Sequence, residues 1–185
     1  MRKHLLRKQH FRQMREVWPF VLVLLSGTLI FLADMYELEN PLFRETVLIG
    51  VSLAKSVWFL WFVVRRIRKD AVQSFHFQEF MLFIGLSVLL YVLSYAIDFY
   101  CLYQIRPDAF QGLPAPPDLL DDFITFFYFS VTNFTTAGLG DVVPRVVSAR
   151  LFVSLELIVS FFFSIFVIAN LAMLREAFAE KQRGR

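Results

Sequence analysis

Cysteine occurs once in the 185 residues, at Cys101, which excludes an internal disulfide. Glycine is scarce, with 7 residues, so helix-forming stretches are rarely interrupted. Proline also numbers 7, and Pro107, Pro114, Pro116 and Pro117 gather between Leu102 and Asp118, a connection that no continuous helix can make. Charged residues make up only 19% of the chain, and the Lys and Arg side chains behind the net charge of +3 lie between apolar runs. They form no single basic stripe, so a nucleic-acid partner is not expected. His4, His10 and His76 lack metal-ligand spacing and no nucleophile faces a base, Ser130 and Thr125 included, so an enzyme is not expected. What the chain has in abundance is apolar surface: 57% hydrophobic residues, 23 of them Phe, and a mean hydropathy of +0.57. The apolar runs last about 20 residues, the length that crosses about 30 Å of hydrocarbon as a helix, and they do not alternate as barrel strands would. An all-α membrane protein is therefore expected.

Along the chain, residues 1–16 form a basic segment (Arg2, Lys3, Arg7, Lys8, Arg12, Arg15) with interleaved apolar residues, suited to a membrane surface. Residues 17–78 form a two-helix membrane region. Its first span, Val17 to Ala33, reads as retained because no small-residue cleavage site follows. Its second, Thr46 to Val64, carries Trp58 and Trp61 near its end and precedes Arg65, Arg66, Arg68 and Lys69. A third span runs from about Phe80 to Cys101 and a fourth from Leu151 to Leu174, with residues 175–185 as a tail. Basic segments fall on one side and acidic loops on the other if the stretch between the third and fourth spans leaves and re-enters on the same side. Both termini are then cytoplasmic, in a plasma membrane, with a prokaryotic inner membrane favoured. No span repeats Arg or Lys every third residue, so voltage sensing by such an array is not expected. The basic loop residues read instead as anchors to anionic lipid.

Between the third and fourth spans, Pro117 and the carboxylates from Asp118 announce a helix start, followed by the apolar stretch to Phe134. At about 24 Å if fully helical, it is too short to span comfortably once its polar start is removed, and a re-entrant helix is the solution. Then comes Thr135-Thr136-Ala137-Gly138-Leu139-Gly140-Asp141. Two glycines at alternate positions permit backbone angles that side chains forbid. Non-helical backbone at membrane depth survives only where protein or a water-filled path satisfies it.

This stretch resembles the potassium-channel signature Thr-Thr-Val-Gly-Tyr-Gly-Asp, and the aromatic helix before it and apolar helix after it extend the resemblance to tetrameric potassium-channel pore domains over about residues 79–174. The resemblance implies that backbone oxygens of Thr136, Ala137, Gly138 and Leu139, with the Thr136 hydroxyl, coordinate K+, and that Thr135, Gly140, Asp141 and Tyr128 support this filter. It implies no cofactor beyond the permeant ion and a homotetramer as partner, since one chain offers one loop. Ala137 stands where the family has a branched residue and Leu139 where it has Tyr. Leading expectation is a potassium-selective channel; the alternatives are a weakly selective monovalent cation channel and a non-conducting pore-like scaffold or modulatory subunit.

Lys55, Asp98 and Glu156 lie inside apolar spans, where an ionised group is costly unless paired, hydrated or snorkelled. At about 1.5 Å per residue, Lys55 sits about 13 Å and Glu156 about 10 Å below the outer boundary, close enough in depth to pair. Glu156 has a second option, bracing the pore helix through Thr132 or Asn133. Asp98 reads as a hydrated group near the surface. Ser160, with Ser164 one turn on, stands where related inner helices carry a hinge glycine, so Ser160, Glu156 and Lys55 are the candidates for gating or bracing.

Overall fold

The computed structural model describes residues 41–70, 77–114 and 118–183. The basic segment and the first expected span lie outside the described residues. Four helices are described: α1 (Pro41–Asp70), α2 (Phe77–Ile105), α3 (Leu119–Phe134) and α4 (Val147–Arg183). Three have membrane-crossing length and composition, over Leu42–Arg66, Met81–Ile105 and Val147–Ala169. The chain is thus an all-α, multi-pass membrane protein. The spans are longer than the sequence boundaries suggested, because helix continues through the polar flanks; α4 runs on past Leu174 to Arg183.

Helix α1 shows why lipid is its solvent. Leu48, Ser52, Lys55, Ser56, Phe59 and Val63 are buried, whereas Leu53, Val57 and Trp61 are exposed. The buried face of this helix thus carries its polar residues together with Leu48, Phe59 and Val63, while the exposed face is apolar, as lipid and not water requires. On α4 likewise Glu156 and Ser160 are buried beside Phe152 and Phe163, while Ile158, Phe161, Phe162 and Ile165 are exposed.

Phenylalanine organises the core. Phe99 of α2 is fully buried, with ring centroids 5.1 Å from Phe129, 6.5 Å from Phe126 and 6.5 Å from Phe152. These contacts fasten α3 between α2 and α4. Tilted and edge-to-face pairs of this kind add to the gain from burying the rings themselves. Phe134, at the end of α3, packs on Tyr91 of α2 and Phe163 of α4, at 5.8 Å in both cases.

The proline-rich connection holds a short 3-10 turn, Pro107–Ala109, and strand β1, Phe110–Gln111. Strand β2, Val143–Pro144, pairs with it antiparallel, Phe110 opposite Pro144 and Gln111 opposite Val143. This pairing brings the chain before α3 and the chain after the 135–142 loop to one place. The excursion between them therefore enters and returns at the same end of the bundle, which makes α3 re-entrant. We refer to that end as the mouth.

Candidate functional site

Helix α3 opens at Asp118, whose backbone is extended and whose carboxylate makes no capping hydrogen bond. The capping role expected of it is absent; Asp121 and Asp122 supply negative charge in the first turn instead, where it complements the helix dipole. At the other end the helix unwinds onto itself. The amide of Thr136 donates to Asn133 O at 2.9 Å, and those of Ala137 and Gly138 donate to Thr132 O at 2.8 and 3.4 Å. With these N–H groups turned back to the helix, the carbonyls of the same stretch are free to face the other way.

Backbone angles enforce that arrangement. Thr136, Gly138 and Gly140 have φ of 57°, 53° and 77°, and the intervening Ala137 and Leu139 are not left-handed. Alternating hands along a chain depart from the strand pattern, in which successive peptide groups flip side to side. Glycine takes such angles freely; at Thr136 they carry a cost of about 1–2 kcal/mol. The Thr136 hydroxyl donates to Thr135 O at 2.7 Å, leaving its lone pairs outward. Residues 135–141 are all exposed in the single chain, and a Cβ built on Gly138 or Gly140 would meet nothing within 4 Å. These glycines serve backbone angle, not packing.

Asp141 closes the segment. The Tyr128 hydroxyl, hydrogen bonded to it, holds its carboxyl below the ordinary carboxylate range, and its own neighbour's amide, Val142 N–H, adds a bond to Oδ1 at 3.0 Å. Tyr128 and Asp141 are thus brought together from α3 and the loop.

Behind α3, the buried charges partner differently from the depth argument. Lys55 forms an ion pair with Asp98, and its ammonium also donates to Ser94 O at 3.0 Å and Ser94 Oγ at 2.7 Å. Ser52 donates to Asp98 at 2.7 Å. Asp98 is 2% exposed, so it is a buried partner and not a hydrated surface group. Rise along single helices gave comparable depths for Lys55 and Glu156, but the facing of α1 against α2 gives the lysine to Asp98. Glu156 meets Ser130, whose Oγ is also hydrogen bonded to Val92 O at 3.0 Å. It therefore reaches the pore helix through Ser130, and not through Thr132, whose hydroxyl donates to Phe129 O at 2.9 Å. Asn133, the other residue expected to meet Glu156, acts on its carboxylate, and Oε2 of Glu156 and Nδ2 of Asn133 are both buried. Ser160 Oγ donates to Leu157 O at 2.9 Å within an uninterrupted α4, which leaves it a self-satisfied residue in this conformation.

Sequence reading missed Ser52, Ser94 and Ser130 as partners. The available signal was their recurrence opposite charged residues on apolar helices, but single-helix periodicity says nothing of which faces meet.

A re-entrant helix followed by a loop of alternating backbone hand and a carboxylate, set between two membrane helices, is the layout of an ion channel's pore region. Residues 117–176 match the family described as ion channel, and further helices lie on the N-terminal side of that stretch. The match starts after α2, so it takes in α3, the loop and most of α4 and leaves α1 and α2 outside it. The chain matches no curated protein.

Proposed function

We propose that this channel conducts K+ passively through the central pore of a homotetramer, with main-chain oxygens of Thr136, Ala137, Gly138 and Leu139 standing in for the ion's water shell. The observation that carries the reading is the alternation of backbone hand at Thr136, Gly138 and Gly140, with the amides folded back onto Thr132. A single row of carbonyls surrounds nothing. Copies related by rotation about an axis beside residues 135–140 close the ring, and four is the simplest number for a loop of this kind. The carboxyl ends of four α3 helices, each carrying about half a negative charge, then favour a cation at the base of the filter. Thr135, Gly140, Asp141 and Tyr128 hold the filter's two ends. The assembly sits in a cell membrane with the mouth outside and the termini in the cytoplasm, where Arg65, stacked 4.9 Å from the Trp61 ring, and its neighbours meet anionic lipid.

Purified protein in liposomes should carry a potassium flux that barium blocks, and its reversal potential under opposed K+ and Na+ gradients should follow K+. A second reading, a weakly selective monovalent cation channel, draws on Leu139, which is 65% exposed, and on Ala137, a small residue in the same stretch. A reversal potential near zero under those gradients would select it. No flux at all would leave a pore-like scaffold.

A further inference from the structure

We infer that the β1–β2 pair is a strut that positions the filter's mouth, and that Gly112 is the residue that allows the strut to seat against Asp141. This rests on the reading of residues 135–141 as a filter. Gly112 follows β1 with φ of 92°, and a Cβ built on it would lie 1.9 Å from the carbonyl oxygen of Asp141 and 2.9 Å from its carbonyl carbon. Both are main-chain atoms, so no rotamer change makes room. Only glycine fits at this point, for the angle and for the space.

The strut is tied down at its other end. Phe110 is buried, with ring centroids 5.8, 5.1 and 5.9 Å from Phe99, Phe126 and Phe129, which fixes β1 to the core behind the pore helix. The amide of Arg145 donates to Ala109 O at 2.8 Å, and its guanidinium to Gln111 Oε1 at 2.7 Å. Arg106, just before the turn, reaches Glu45 of α1 at 3.5 Å. The backbone at Asp141 is therefore held from two sides: Tyr128 from the pore helix and Gly112 from the connection after α2. Filter carbonyls select by distance and number, so displacing Asp141 by the width of a methyl group should relax the spacing at Leu139 and Gly140.

The test is Gly112→Ala in the full chain, reconstituted in liposomes beside wild type and Gly85→Ala, a helical glycine whose Cβ would meet nothing within 4 Å. Wild type and Gly85→Ala should give the same potassium-following reversal potential. Gly112→Ala should assemble like wild type and shift the reversal potential toward zero, or lose potassium flux altogether. An unchanged reversal potential and flux in Gly112→Ala would overturn the inference. If that variant does not assemble, Gln111→Ala decides: it removes the Arg145 contact without a clash and should shift the reversal potential in the same direction by less, with no shift overturning the inference. Absence of potassium selectivity in wild type itself would instead bring down the filter reading on which the strut depends.

Discussion

The rear of the bundle and the filter loop handle polar groups in opposite ways. Between α1 and α2, Lys55, Asp98, Ser52 and Ser94 are buried and satisfy one another, so one chain completes the set. In the loop, residues 135–141 are exposed, their backbone hand alternates, and the described side chains do little to cover them. Polar groups in a membrane specify a fold where they pair within the chain and imply a function where they are presented unpaired. The rear network accordingly bears on how the helices pack, and the loop, on the reading proposed above, on what passes.

The largest effect should come from breaking the loop while sparing the rear. Gly138→Ala places a side chain at φ of 53°, at a cost of about 1–2 kcal/mol, and disturbs the carbonyl row directly. Potassium flux in liposomes should vanish, while the melting temperature in detergent changes little; retained selective flux would contradict the role of this backbone.

The converse experiment breaks the rear. Lys55→Met leaves Asp98 buried and unpaired, and removing one partner of such a pair costs about 3–5 kcal/mol. The double change Lys55→Met with Asp98→Leu should recover most of that loss. Unfolding of the three proteins in matched detergent checks it, and equal destabilisation of the double variant would mean that the pair does not act as a unit.

A smaller effect sharpens the boundary between the two regions, where Glu156 touches the pore helix. Ser130 has one proton to donate and lies against two oxygens, Val92 O and Glu156 Oε1. Glutamine brings its own donor to the same place, so Glu156→Gln should stay within about 1 kcal/mol of wild type, whereas Glu156→Leu, which strands the Ser130 contact, should lose about 1–3 kcal/mol. Reversal potentials measured alongside would show whether the rear contact reaches the filter.

The smallest effect is expected at the mouth. Because Tyr128 holds the Asp141 carboxyl below its ordinary range, the charged form is favoured in the folded state. Its contribution is complete above the unfolded carboxylate range and is lost only as pH falls through the depressed folded value. Potassium flux should therefore be insensitive to mouth-side acidification through the ordinary carboxylate range and decline below it; Tyr128→Phe should move that decline to higher pH.

Much of the arrangement was legible in sequence, for reasons of length and periodicity. Apolar runs named the spans from α1 onward, and the aromatic stretch before Thr135 gave α3 nearly to the residue, since Phe134 ends the helix as expected. The two-residue strands were not legible: nothing in Phe110–Gln111 or Val143–Pro144 alternates long enough to signal a strand, and their pairing exists only because α3 returns the chain to its starting end. Gly112 looked like one more loop residue for the same reason.

The sequence alone determined that the chain is a membrane protein, because no soluble core could bury so many apolar side chains, and that residues 135–141 carry an unusual backbone, because glycines at alternate positions have no packing use. Only the tertiary structure decided that Lys55 belongs to Asp98, that Ser130 connects Glu156 to the pore helix, and that Gly112 seats beneath Asp141. Those pairings depend on how helix faces turn toward one another, a property of several segments at once that no single segment encodes.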